Sequence, residues 1–146
     1  MKKLMIATLL VAVFGTSAFA SDAEKISYRV TTNFEAKFAG AKNVRWLQQP
    51  TYVKVTFELN DETVEAFYSA DGETLGYSRK IDLKKLPLSA ISKIKKDYAS
   101  FVAKEVIEFD RDGERTFYVS LTDGNKTQIL EVSPYGNVST YKGVKQ

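Results

Sequence analysis

The sequence predicts an α+β protein, a tandem repeat of helix plus four-stranded antiparallel sheet, with the helices packed on one sheet face. Three observations carry that expectation. Apolar residues twice change from three- and four-residue spacing to strict alternation, the change from a helix to a half-buried strand. Turn-forming pairs then punctuate each alternating stretch at hairpin spacing. The whole pattern recurs along the chain at an offset of 64 residues, the signature of a structural unit written twice.

The chain opens with Met1 and the basic pair Lys2 and Lys3, runs through an apolar stretch from Leu4 to Phe14, and reaches Ala18, Phe19 and Ala20 before Ser21. This charged, apolar, then small-residue order is that of a secretory signal, so residues 1–20 are expected to be cleaved on export. The apolar stretch is too short to span a hydrocarbon core of about 30 Å comfortably, and no stop-transfer pattern follows it. Without a cysteine at the cleavage point the lipoprotein route is closed. The expected product is a soluble bacterial protein of the periplasm or medium. It comprises residues 21–146, one domain built of two units, about 24–82 and 86–146.

Each unit opens with a helix. Val30, Phe34, Phe38 and Ala41 line one helical face in the first, and Ile91, Ile94, Tyr98, Phe101 and Val102 do so in the second. Pro87 stands where a helix can start, because the first turn does not need its missing donor. The period then changes to two. Val53, Val55, Phe57 and Leu59 alternate with Tyr52, Lys54, Thr56 and Glu58, and Phe117, Val119 and Leu121 alternate with Tyr118, Ser120 and Thr122. Turn signals stand at Gln49–Pro50, Asn60–Asp61, Asp71–Gly72, Asp112–Gly113, Asp123 to Asn125 and Gly136–Asn137. At the offset of 64, Phe34 matches Tyr98, Phe38 matches Val102, Val53, Val55 and Phe57 match Phe117, Val119 and Leu121, and Gly72 and Tyr77 match Gly136 and Tyr141. Val44 and Trp46 match Ile107 and Phe109 at 63.

This layout, with the signal peptide, Trp46 closing the first short strand, the strand Tyr52 to Phe57, the hairpin Ala70, Asp71, Gly72, Glu73 and the matching Tyr135, Gly136, Asn137, resembles the exported PepSY-like family, also described as beta-lactamase-inhibitor-like. The second unit departs from it in carrying Pro134 and Tyr135 where the first has Ala70 and Asp71. The resemblance implies a tandem helix-plus-sheet fold, and its name implies protein binding or protease modulation.

Composition closes several routes. With no histidine and no cysteine, the common general base, the thiol nucleophile and the soft metal ligands are missing, so Ser-His-Asp, Cys-His and zinc chemistry are excluded. Disulfides are excluded with them, and burial must carry the stability. Ser92, Lys93, Ile94, Lys95 spells S-x-x-K, but the S-D-N partner is missing and Gln128 stands where K-T-G needs glycine, so the polar side of a helix explains it. Asp110, Asp112, Gly113 and Glu114 resemble part of a calcium loop without its remaining ligands, and a hairpin turn accounts for them. No pair among the 18 acids stands out for glycoside hydrolysis. The expectation is a protein that is not an enzyme and needs no cofactor and no metal.

Removing Lys2 and Lys3 lowers the 21 basic residues to 19 against 18 acids, so the formal charge of +3 falls to +1. That gives no strong case for nucleic acid or anionic lipid. The densest cluster, Lys93, Lys95 and Lys96 with Lys84 and Lys85 upstream, reads as the solvated face of a helix.

If Val53, Val55 and Phe57 face the helices, strand alternation puts Arg45, Leu47, Tyr52, Lys54, Phe67, Tyr118 and Ile129 on the opposite face. Rings beside a basic residue are the composition of protein-binding hot spots. Arg45, Tyr52, Lys54, Phe67, Tyr118 and Ile129 are therefore the expected partner-binding residues of an open sheet face, with a protein or peptide of the envelope as partner and no membrane insertion after cleavage. A small-ligand pocket between helix and sheet is the alternative, and a carboxylate-dependent hydrolase stands behind it. Trp46 and Tyr77 fall on the helix side and are expected in the core.

Overall fold

The computed structural model describes residues 26–143; the expected signal peptide lies outside the described residues. Helix α1 (Tyr28–Lys37) is followed by strands β1 (Lys42–Gln48), β2 (Val53–Leu59), β3 (Glu62–Tyr68) and β4 (Thr74–Lys80). A 3₁₀ turn (Leu83–Lys85) leads into helix α2 (Leu88–Asp97) and strands β5 (Val102–Arg111), β6 (Glu114–Thr122), β7 (Thr127–Val132) and β8 (Val138–Thr140).

The expected tandem repeat of two helix-plus-four-stranded sheets is not what forms. The strands make a single eight-stranded sheet in the order β1 to β8, antiparallel from β1 to β4 and from β5 to β8. The physical reason is the edge. A four-stranded sheet leaves two rows of unpaired backbone groups, and two such sheets leave four, whereas one long sheet leaves two. Alternation and hairpin turns specify each ladder but not where the sheet stops.

The described residues divide into two compact units, one ending at Arg79 and the other beginning at Lys80. In unit one, α1 starts at Ser27, whose extended backbone and side-chain oxygen, accepting from the Val30 amide, cap the first turn. The helix buries Val30 and Phe34 against Val53, Val55, Phe57, Ala66 and Tyr68. Phe34 lies edge-on to Trp46 at 5.2 Å and to Phe57 at 5.0 Å. Trp46 and Tyr77 pack on this core half-buried. In unit two, α2 buries Ala90 and Ile94 against Val106, Phe117, Val119, Leu121, Leu130 and Val132. Pro87 is its N-cap and makes no side-chain hydrogen bond to it.

The uniform offset of 64 fails in two places. Ala90 and Ile94 stand 60 residues after Val30 and Phe34, and the capping amides of Phe38 and Tyr98 reach Phe34 and Ile94 in the same way. The helical equivalent of Phe38 is thus Tyr98, and Val102 is an exposed strand residue outside the helix. The second failure is at the other end. Tyr77 pairs with Ala66 on the helix side, but Tyr141 lies across from Ile129 and stacks on Tyr118 on the other side. A bulge between Phe67 and Tyr68 shifts the β3–β4 register by one, and none is present between β7 and β8. A one-residue slip moves a side chain to the opposite face.

The hairpin turns are those the sequence signals. Asn60 and Asp61 take φ 51° and 63°, and Asp112 and Gly113 take 54° and 83°, the left-handed pair of a two-residue hairpin. The Asp110 carboxylate accepts from the Gly113 amide at 3.1 Å, which is what that acid does in the loop resembling a calcium site. Asp123 accepts from the amides of Lys126 and Asn125, and these hydrogen bonds hold its carboxyl below the usual range.

Candidate functional site

The sheet surface turned away from the helices follows from register alone. In unit one Lys54 pairs with Phe67 and Leu47, Thr56 with Glu65 and Arg45, and Glu65 with Ser78. All of these alternate with the core residues Val53, Val55 and Phe57. At the centre the Lys54 ammonium meets the Glu65 carboxylate at 3.0 Å. The same carboxylate accepts from the hydroxyls of Thr56 at 3.5 Å and Ser78 at 3.4 Å. Beside this polar cluster the rings of Tyr52 and Phe67 lie 6.0 Å apart. Burial raises the Tyr52 pKa, and the nearby Glu65 charge adds to it.

In unit two the equivalent surface carries Ile107 and Phe109 on β5, Tyr118 and Ser120 on β6, and Ile129 and Glu131 on β7, joined by Tyr141. Tyr118 and Tyr141 meet edge to face at 5.5 Å. Burial pushes both phenols up, and the negative charge of Glu131 reinforces it.

Alternation therefore puts every expected binding residue on the expected face, but the face is not open where the rings are. Phe67 is fully buried, Tyr118 is 3% exposed, Lys54 7% and Tyr52 8%. Arg45 is exposed, and Leu47 and Ile129 are half-buried. Side-chain direction is legible from a period of two; solvent access depends on what the rest of the chain lays over the strand. Sequence reasoning also missed Glu65, Ser78, Glu131 and Tyr141. Glu65 could have been found as the acid directly across β2 from Thr56 and diagonal to Lys54. Tyr141 could not, since its face depends on the bulge that β7 and β8 lack.

Within this surface Lys54, Thr56, Glu65 and Ser78 share hydrogen bonds, and Tyr52 meets Phe67 and Tyr118 meets Tyr141 ring to ring. Ser92 and Lys95 of S-x-x-K are both exposed on α2.

No family model matches the chain, and no curated protein matches its sequence. Solved structures do match its fold. A DUF2874 family protein from Bacteroides ovatus superposes with TM-score 0.71 at 17% identity, over 82% of this chain and 89% of that one. A BLIP-like, that is beta-lactamase-inhibitor-like, protein from Bacteroides fragilis gives 0.69 at 16%, over 82% and 89%. A Bacteroides eggerthii protein assigned by inference to the periplasm gives 0.68 at 14%, over 84% and 90%. The chain thus has the fold these DUF2874 and BLIP-like proteins share. Among the described residues no helix is long and apolar enough to cross a membrane.

Proposed function

We propose that this is an exported, non-catalytic binding module of the PepSY-like kind whose partner is a protein, recognised on the helix-free surface of the sheet. The observation that carries the reading is the construction of that surface. In unit one buried Tyr52, Lys54 and Phe67, with the Lys54–Glu65 ion pair, lie beside the more accessible Arg45 and Leu47; in unit two buried Tyr118 lies beside the more accessible Ile129 and Tyr141. Rigid support beneath a few accessible aromatic, aliphatic and arginine side chains is what a protein-binding hot spot requires. The fold shared with a BLIP-like protein supports a protein partner, and the fold shared with a protein assigned to the periplasm supports the envelope or medium as its place.

The buried rings are scaffold in this reading, so the test uses the accessible residues. Arg45→Ala with Ile129→Ala leaves the melting temperature near that of the parent and abolishes capture of the partner from an envelope extract. Tyr118→Ala instead costs about 3 kcal/mol of stability, as expected for deleting a buried ring. A partner that binds the double variant as well as the parent, or no protein distinguishing the two, overturns the proposal.

A second reading has one observation behind it. The Tyr68 hydroxyl, in the core under α1, is buried and has no hydrogen-bond partner among the described residues, an expensive state for a polar group. A small polar ligand entering between helix and sheet would satisfy it. Such a ligand raises the melting temperature of the parent, and Tyr68→Phe reduces the rise.

A further inference from the structure

We infer that unit two carries a second surface, formed by Lys84, Leu88, Lys95, Lys96 and Tyr135, that docks on an anionic phospholipid bilayer. Net charge conceals it. Residues 80–104 contain seven lysines, no arginine and two aspartates, whereas residues 105–143 contain seven acids against four basic residues. Averaged over the chain these cancel; in the fold Lys80 meets Glu105 of the acidic run, while Lys84, Lys85, Lys93, Lys95 and Lys96 lie on the connection and helix and the acids mostly on strands and hairpins.

Helix α2 buries Ala90 and Ile94. Leu88, Ser92, Lys95 and Lys96 follow each other at helical spacing along its other side, and all four are exposed. Lys84, in the 3₁₀ turn just before the helix, is exposed as well. The β7–β8 turn closes on the same end of the helix, where Gly136 lies against Ser89 and Pro87. Tyr135 and Leu88 are each the immediate neighbour of a residue in that contact. They are 87% and 81% exposed.

Lysines alone would be a solvated helix face, and several of those nearby have partners, Lys93 in Asp97 at 2.7 Å, Lys80 in Glu105, Lys96 in the charge of Asp97, and Lys85 as well. Two large, almost fully exposed side chains set among these lysines are a different pattern. An aliphatic and a tyrosine ring beside a lysine cluster match a bilayer interface, where rings sit at headgroup level and lysines meet phosphate. The absence of arginine favours the same occupant. Lysine is a flexible point charge suited to a diffuse array of phosphates, while shaped recognition of carboxylates favours the arginine fork. The surface lies on the helix side of unit two and is independent of the proposed protein-binding face.

The test is co-sedimentation of the full chain with vesicles of phosphatidylcholine alone or mixed with phosphatidylglycerol. Every variant keeps residues 1–25, so binding through that segment, with any anionic preference Lys2 and Lys3 give it, is common to all and cancels in the comparison of parent with variants. The expected result is binding to anionic vesicles above the neutral background, weakened about five-fold for each lysine removed in Lys84→Gln, Lys95→Gln and Lys96→Gln. Leu88→Ser with Tyr135→Ser, both at exposed positions and checked by circular dichroism, also weakens it. Equal binding to both vesicle types, or anionic binding that survives the triple lysine variant, overturns the proposal. So does a preference for polyglutamate over anionic vesicles that ignores Leu88→Ser and Tyr135→Ser, which would assign the surface to an acidic polypeptide.

Discussion

Single residues do different work at positions that look alike in the sequence. Gly72 and Gly136 both close a turn with φ near 90°, their amides bonding to the carbonyls of Ser69 and Ser133. Each also lies against the start of a helix, Gly72 on Arg29 and Gly136 on Ser89. A β-carbon would therefore meet both an unfavourable backbone conformation and an occupied site. Gly136→Ala is expected to cost about 2 kcal/mol, read as a fall of several degrees in melting temperature. Gly124, also at positive φ but with open space around it, gives the control: Gly124→Ala carries the conformational cost alone and falls less. The turn glycines were legible from Asp-Gly and Tyr-Gly-Asn signals. The helix each touches was not, since nothing local to Gly136 names Ser89.

Elements show where periodicity suffices and where it stops. The core faces of α1 and β2 were readable because Val30 and Phe34 and the run Val53, Val55, Phe57 each keep one period over several residues. Helix ends were less so. Phe38 and Tyr98 continue the apolar spacing yet serve as C-caps, because aromatic side chains pack on the core equally well from just beyond a helix. The start of α1 depends on Ser27, so Ser27→Ala is expected to lower stability by about 1 kcal/mol, measured as a shift in the denaturant midpoint with unchanged slope. At the edge, β1 carries a bulge between Lys42 and Arg45, with Asn43 at φ 52°. A bulge and two cations on an edge strand discourage pairing with another chain, which favours recognition through side chains on the face over strand addition at this edge.

At the scale of the whole molecule, four tyrosines share one behaviour. Burial raises the pKa of Tyr52, Tyr68, Tyr118 and Tyr141 above the ordinary 10.0, with Glu65 or Glu131 adding to it at three of them and Tyr77 at Tyr68. A raised folded value means the native state keeps protons the unfolded chain releases. Stability is therefore fully held below pH about 10 and falls as pH rises through the folded values. The expected measurement is a denaturant midpoint that drops above pH 10, accompanied by cooperative appearance of tyrosinate absorbance. Phe replacement at Tyr118 and Tyr141 should flatten the drop. By itself the sequence determined the order of helices, strands and turns, the faces of the regularly alternating runs such as Val53 to Phe57 and the chemistry the chain lacks, because these depend on neighbours within a few positions. Only the tertiary structure decided that eight strands form one sheet, that the rings of the helix-free face are buried, and that the turn carrying Tyr135 meets the start of the helix that carries Leu88. Those outcomes depend on edges, coverage and contacts between segments distant in the chain, and no local period encodes them.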